Sequence, residues 1–185
     1  MYHSELASQI AAYFLLKEGG SMRTLKLMKL MYLADRDYLL KYGSLLTGDI
    51  YASLPHGPVL SQTLNSARLG LDSVWNEIIQ DIGNYSVGLK NPHTSICDLD
   101  RLSKAIRNIL DSVYQQYGHL GAFEIRDLTH TKEVCPEWQD PHGSSIPIKF
   151  SDVLLNHGKS KKESDAIIES INEQLAYENL IADMV

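Results

Sequence analysis

The stretch from Thr24 to Val59 constrains the fold of this 185-residue chain more than any other. At 100° per residue, its apolar side chains form an arc much wider than the single stripe of a surface helix. Such a helix needs neighbours on more than one side, so we predict a central helix with other helices packed around it. The arc contains Leu25, Leu27, Met28, Leu30, Met31, Tyr32, Ala34, Tyr38, Leu39 and Tyr42, and the opposite side contains Lys26, Lys29, Arg36 and Asp37.

Two residues of this stretch have a predictable local role. Gly43 can adopt the left-handed conformation that ends a helix. Asp35 projects from the apolar arc, where an unpaired carboxylate is costly, so it needs a partner from another segment. Either Asp35 makes a structural hydrogen bond or ion pair, or it is a catalytic carboxylate, and both interpretations stay open.

The remaining periodicity is mainly helical and predicts one compact domain of residues 1–185. One small β-hairpin is predicted, with strands 85–90 and 94–97. The Ser160-x-x-Glu163 capping box starts the last helix, so that residues 158–185 form an acidic C-terminal helix packed on the domain or extending from it. Other predicted helices cover residues 4–17, about 59–68, 98–117, 121–129 and 151–156.

The net charge of −6 argues against a protein that binds a phosphate backbone or an anionic membrane surface. The acidity is concentrated at the end of the chain. Residues 161–185 contain two lysines and six carboxylates, a net charge of −4. This segment either meets a positively charged partner or is only a solvated face.

Cysteine usage and hydropathy predict a cytoplasmic protein. Cys97 and Cys135 belong to no metal-binding or redox spacing, which fits a reducing compartment. The first residues are polar and acidic, unlike a signal peptide. No apolar run approaches the ~18 residues that span a bilayer.

The sequence predicts neither a metal nor a cofactor. Its seven histidines are scattered, with no His-x-x-x-His or Cys-x-x-Cys pair. A glycine-rich phosphate loop and a nucleophile elbow are also missing. His130 is the most notable titratable group, and we interpret it as the end of a helix near a core Trp138, with a ligand-binding role as the alternative.

Several motifs occur in a fixed order along nearly the whole chain. Together they resemble the Panacea antitoxin domain, the SocA- and GepA-like family. They are Leu27-Met-Lys-Leu-Met-Tyr-Leu-Ala-Asp-Arg36, Tyr42-Gly43, Thr47-Gly-Asp49, His56-Gly-Pro-Val59, Tyr117-Gly-His-Leu120, Asp127-Leu-Thr-His130, Pro136-Glu-Trp138 and Ser145-Ile-Pro-Ile148.

This resemblance implies a non-enzymatic antitoxin of a toxin–antitoxin system, a class often carried by phages and other mobile elements. Such a protein neutralises a toxin encoded by a neighbouring gene through direct protein–protein contact. The family has no agreed catalytic residues, so we expect a structural role for the motif residues. These are Leu27, Lys29, Tyr32, Asp35, Gly43, Gly57, Pro58, Val59, Thr129, His130 and Trp138.

We expect the surface that contacts the toxin in the loop of residues 47–56 and on the acidic C-terminal helix. One alternative is a small hydrolase or nucleotide-handling enzyme that uses Asp35, His56 and His130. Another is a phage or mobile-element accessory protein that binds a host factor, or an adaptor that delivers a toxin to a protease. The expected toxin-contacting residues are Thr47, Asp49, His56, Glu169, Glu173 and Glu178.

Overall fold

The computed structural model describes residues 1–182, and its fold is mainly α, as the sequence predicts. Within that range are eight α-helices, none with the length and hydropathy that crossing a bilayer requires. The predicted end of the last helix at Val185 lies outside the described residues. The helices are α1 (Ser4–Lys17), α2 (Thr24–Tyr42), α3 (Ser61–Leu69), α4 (Ser73–Ile78), α5 (Lys104–Tyr117), α6 (Ala122–Leu128), α7 (Phe150–Asn156) and α8 (Lys161–Ala182).

Two three-stranded antiparallel sheets accompany the helices, so the prediction of one hairpin was wrong. The first sheet has the strand order β1-β5-β4 and the second has β3-β2-β6. The short strands β1 and β6 leave no periodic pattern in the sequence. The strands are β1 (Ser21–Arg23), β2 (Tyr51–Leu54), β3 (Gly57–Leu60), β4 (Ile79–Gly83), β5 (Ser86–Leu89) and β6 (Ile146–Pro147).

The predicted hairpin of residues 85–97 was also misplaced. Strand β5 pairs with β4 before it, and the turn between them lies at Asn84 and Tyr85, which both have positive φ. The predicted second strand overlaps a short 3-10 helix (Ile96–Asp98) that begins with a capping box. Because a capping box turns the chain locally, this segment does not extend along β5.

The helix predicted from about Val59 begins instead at Ser61. Val59 belongs to strand β3, which pairs with β2 and places Ser53 opposite Pro58. Pro58 lacks an N–H group but tolerates an extended backbone at the edge of a sheet. The turn at Pro55 and His56 therefore joins two strands, and β3 packs directly on α2.

Helix α2 is enclosed over most of its length, including most of the side predicted to face solvent. It packs against α1, α3, α5, α6 and α7 and against strands of both sheets. Lys26, Lys29 and Arg36 are at most 6% exposed, so the predicted solvent-facing side was wrong. Tyr42, predicted in the apolar arc, lies in the last turn and is 43% exposed. Gly43 ends the helix with φ +66.

Asp49 connects the loop after α2 to the start of α3. Its carboxylate accepts hydrogen bonds from the backbone N–H groups of Gln62 and Thr63, both at 2.8 Å, and from the Thr63 hydroxyl. The N-cap residue of α3 is Leu60, whose side chain cannot accept a hydrogen bond. Asp49 therefore caps α3 from a distant position in the sequence.

Residues 140–182 form a C-terminal arm that covers part of the preceding structure. Ile148 donates its N–H to the carbonyl of Tyr51 at 2.9 Å. The ring of Phe150 packs edge-on against the ring of Tyr51, with 4.9 Å between centroids. Helix α8 packs on α7, and its Ile167 lies against Gly43 at the end of α2. The arm is thus attached next to the second sheet and the end of α2.

We expect Asp49→Ala to lower the free energy of unfolding by about 3 kcal/mol, because buried N–H groups at the start of α3 lose their acceptor. Urea unfolding followed by circular dichroism measures this change. Glu133→Ala is the control, since Glu133 is exposed and has no hydrogen bond or ion pair among residues 1–182. A loss for Asp49→Ala no larger than that of the control would contradict the capping role.

Candidate functional site

The first feature of the candidate site is a lysine buried in the middle of α2. Lys29 has no exposed surface, and its Nζ donates a hydrogen bond to the carbonyl of Pro58 at 2.7 Å. Burial lowers the pKa of Lys29 to about 7. The amine is therefore only partly charged near neutral pH.

Gly57 closes the turn directly onto Lys29. Its φ is +93, and a Cβ at this position would lie 2.9 Å from both Lys29 Nζ and Thr129 Oγ1. His130 Cδ2 would be 3.3 Å from that Cβ. Both the backbone conformation and the lack of space require glycine here. The turn, α2 and the end of α6 thus meet at one point.

His130 and Trp138 form the outer wall of this cluster. Their rings pack with 4.3 Å between centroids, and Trp138 Nε1 donates to the carbonyl of Leu54 at 3.1 Å. His130 lies just after α6, where its backbone N–H bonds to the carbonyl of Asp127. Burial and then the charge of Lys29 lower the pKa of His130, which favours the neutral ring.

A second buried network lies further along α2. The side chain of Glu137 has no exposed surface and accepts hydrogen bonds from Tyr32 Oη at 2.6 Å and from His157 Nε2 at 3.1 Å. Arg36 Nη1 lies 3.6 Å from the same carboxylate. Burial alone would raise the pKa of Glu137, but these hydrogen bonds and the charge of Arg36 outweigh it and hold the pKa below its usual value.

Asp35 is satisfied by the loop and strand that follow α2. Its carboxylate accepts from the backbone N–H of Thr47 at 3.0 Å, from the Thr47 hydroxyl, and from Tyr51 Oη at 2.6 Å. Burial raises the pKa of Asp35 to about 6 although these hydrogen bonds oppose the shift. Neither His56 nor His130 is among its hydrogen-bond partners, so the arrangement needed for the enzyme alternative is not assembled.

This cluster therefore connects three segments, which are α2, the turn at Gly57 and the residues just after α6. Lys29, Gly57 and His130 lie together, with the exposed His56 near enough to lower the pKa of His130 further. Within residues 1–182, no group of three or more His, Cys, Asp or Glu side chains lies close enough together to hold a metal ion. The hydrogen bonds of Lys29 and Trp138 end on backbone carbonyls of strand β3 and strand β2.

The structure separates the residues expected to contact a toxin into buried and exposed groups. Thr47 and Asp49 are only 1% exposed and bind Asp35 and the start of α3, so neither side chain can reach a partner and this expectation is corrected. Glu178 is 23% exposed and pairs with the chain's amino group at 2.8 Å. The exposed members of the group are His56, Glu169 and Glu173.

Sequence reasoning missed the buried ionic network. Arg36 was placed on a solvent-facing side, and Glu137 and His157 were not singled out. Glu137 lies inside the Pro136-Glu-Trp138 motif, which was the one signal that could have drawn attention to it. His157 at the end of α7 carries no such signal.

A comparison with family models gives one match, described as the antitoxin SocA-like Panacea domain, over residues 27–139. The matched segment is more than half of the chain and contains Lys29, Gly57, His130 and Trp138. It ends before the C-terminal arm. The searches of curated proteins and of solved structures gave no match. The resemblance predicted from the motifs is confirmed.

We expect Gly57→Ala to lower the free energy of unfolding by about 3 kcal/mol, because it adds backbone strain and forces a methyl group against Lys29 and Thr129. Gly143→Ala is the matched control. Gly143 has φ +88, but nothing lies within 4 Å of its Cβ position, so only the strain of about 1 kcal/mol remains. Thermal and urea unfolding measure both changes, and equal losses would contradict the close packing at Gly57.

We expect Lys29→Met to remove a pH dependence of stability. With a folded pKa of about 7 and an ordinary value of 10.5, Lys29 binds more protons in the unfolded state between these pH values. Its contribution to the free energy of unfolding therefore rises with pH across this window, by about 5 kcal/mol in total. Urea unfolding of both proteins between pH 7 and 10 measures the difference. Parallel stability curves would contradict a depressed lysine pKa.

Proposed function

Because the chain belongs to the SocA-like Panacea antitoxin family, we propose that it is an antitoxin that neutralises the toxin of a neighbouring gene by direct protein–protein binding. The observation that carries this proposal is the family match, which includes every residue of the Lys29–Gly57–His130 cluster. In this proposal residues 1–185 act as one domain in the cytoplasm, where a neighbouring gene's product would also be made.

The hydrogen bonds that the motif residues Lys29 and Asp35 make within the protein support binding over catalysis. Lys29 donates to the carbonyl of Pro58, and Asp35 is held by Thr47 and Tyr51. Groups bonded in this way hold α2, the turn and α6 in one arrangement. We therefore assign them a scaffold role, and we assign partner recognition to exposed side chains.

The exposed side chains that best suit partner recognition lie on α8. Glu169 and Glu173 are exposed there, in a segment whose net charge is negative. An acidic surface attracts a basic partner and raises its rate of association. A toxin that handles nucleic acid or nucleotides commonly has a basic active surface, which such a helix could occlude. His56, exposed on the turn next to the cluster, is the other candidate contact.

We expect co-expression with the neighbouring gene's product to restore growth, and the two proteins to co-purify in a fixed ratio. A binding antitoxin is consumed by its toxin, so protection should fail once the toxin is in molar excess. Separate inducible promoters and growth curves measure this dependence, with the toxin alone as the control. Protection that persists at a large toxin excess would contradict neutralisation by binding and would favour an enzyme.

A further inference from the structure

The ring of His130 is held in the Lys29–Gly57–His130 cluster without a hydrogen bond on its inner edge. It packs on the ring of Trp138 with 4.3 Å between centroids, and its Cδ2 atom would lie 3.3 Å from a Cβ on Gly57. The adjoining nitrogen, Nε2, is buried and has no hydrogen-bond partner among residues 1–182. A buried polar atom without a partner is uncommon in a folded protein and calls for a physical reason.

The amine of Lys29 approaches the same point from α2. Its Nζ would lie 2.9 Å from a Cβ on Gly57, and it donates a hydrogen bond to the carbonyl of Pro58. The inner edge of the His130 ring and the Lys29 amine therefore both contact Gly57. A positive charge on one of them disfavours a positive charge on the other.

This position suits a neutral His130 and opposes a protonated one. Both ring nitrogens of an imidazolium carry a hydrogen, so protonation makes Nε2 a buried donor that lacks an acceptor. The ring then loses its hydration without a compensating bond and is repelled by the charge of Lys29. The pKa of His130 is lowered first by burial and then by the charge of Lys29, which agrees with this geometry.

The outer side of the ring offers the charged form a better position. His130 is partly exposed, and the side chain of Asp127 at the end of α6 is 62% exposed. The carboxylate of Asp127 acts to raise the pKa of His130, whereas the charges of Arg126 and His56 act to lower it. Cys135 faces Lys29 as a neutral thiol, since burial raises its pKa to about 12. A protonated His130 thus gains both water and a carboxylate by turning outward.

We propose that His130 is a proton-operated latch on the turn of residues 55–57. The neutral ring packs on Trp138 and holds the turn against α2. The protonated ring turns outward beside Asp127, and Trp138 then loses its packing partner and its bond to the carbonyl of Leu54 opens to water. The latch does not depend on the proposed function, because every group in it belongs to the scaffold.

The test uses the full-length protein with Trp75→Phe, which leaves Trp138 as the single tryptophan. We expect its emission maximum to move to longer wavelength in one step, with a midpoint below the ordinary histidine value of pH 6.5. His130→Phe should abolish the step, because phenylalanine keeps a ring on Trp138 but does not titrate. His93→Gln, at an exposed histidine, should leave the step unchanged. Lys29→Met should raise the midpoint by about half a pH unit or more, because it removes the neighbouring charge.

Far-ultraviolet circular dichroism is recorded on the same samples, and we expect it to stay constant through the step because the helices remain folded. If Trp75→Phe does not fold, the ring-proton resonance of His130 in the parent protein gives the midpoint by nuclear magnetic resonance. A midpoint at or above pH 6.5 or a step that persists in His130→Phe would overturn the latch. An unshifted midpoint in Lys29→Met, or loss of helical signal at the same pH, would overturn it as well.

Discussion

Because α2 is enclosed, the segments around it have to supply hydrogen-bond acceptors for its buried side chains. Three cationic side chains project from this helix into buried surroundings, and each must find an acceptor because an unpaired buried charge is costly. Lys26 bonds to a carbonyl just after α5, Lys29 to the carbonyl of Pro58, and Arg36 to a carbonyl in the loop after α6. Two loops and strand β3 are thereby placed along one helix by bonds to their backbones.

These bonds also explain why the sequence predicted the helix well and its surroundings poorly. The period of the apolar arc predicted α2 and its end at Gly43, and the apolar position of Asp35 correctly indicated a buried partner. The same period placed Lys29 and Arg36 in solvent, because helical periodicity assumes that a polar side faces water. Those cations can be buried because carbonyl groups far away in the sequence accept their hydrogen bonds. No local sequence pattern indicates such distant acceptors. Pro58 was likewise misplaced, since proline fits both a helix start and a strand edge.

The family match and the exposed acidic surface lie in different parts of the chain. The match ends at residue 139 and includes the Lys29–Gly57–His130 cluster, whereas the exposed Glu169 and Glu173 lie on α8. Several contacts join these parts, and two of them are the hydrogen bond between His157 and Glu137 and the packing of Phe150 on Tyr51. Both contacts end on residues that also bond to side chains of α2. The C-terminal arm is therefore attached to the most constrained part of the scaffold.

A binding surface loses less conformational entropy when its supporting elements are already ordered. The arm is positioned by buried contacts at α7, while Glu169 and Glu173 on the outer face of α8 take no part in that packing. A change of charge at Glu169 or Glu173 therefore leaves the buried contacts that position the arm in place.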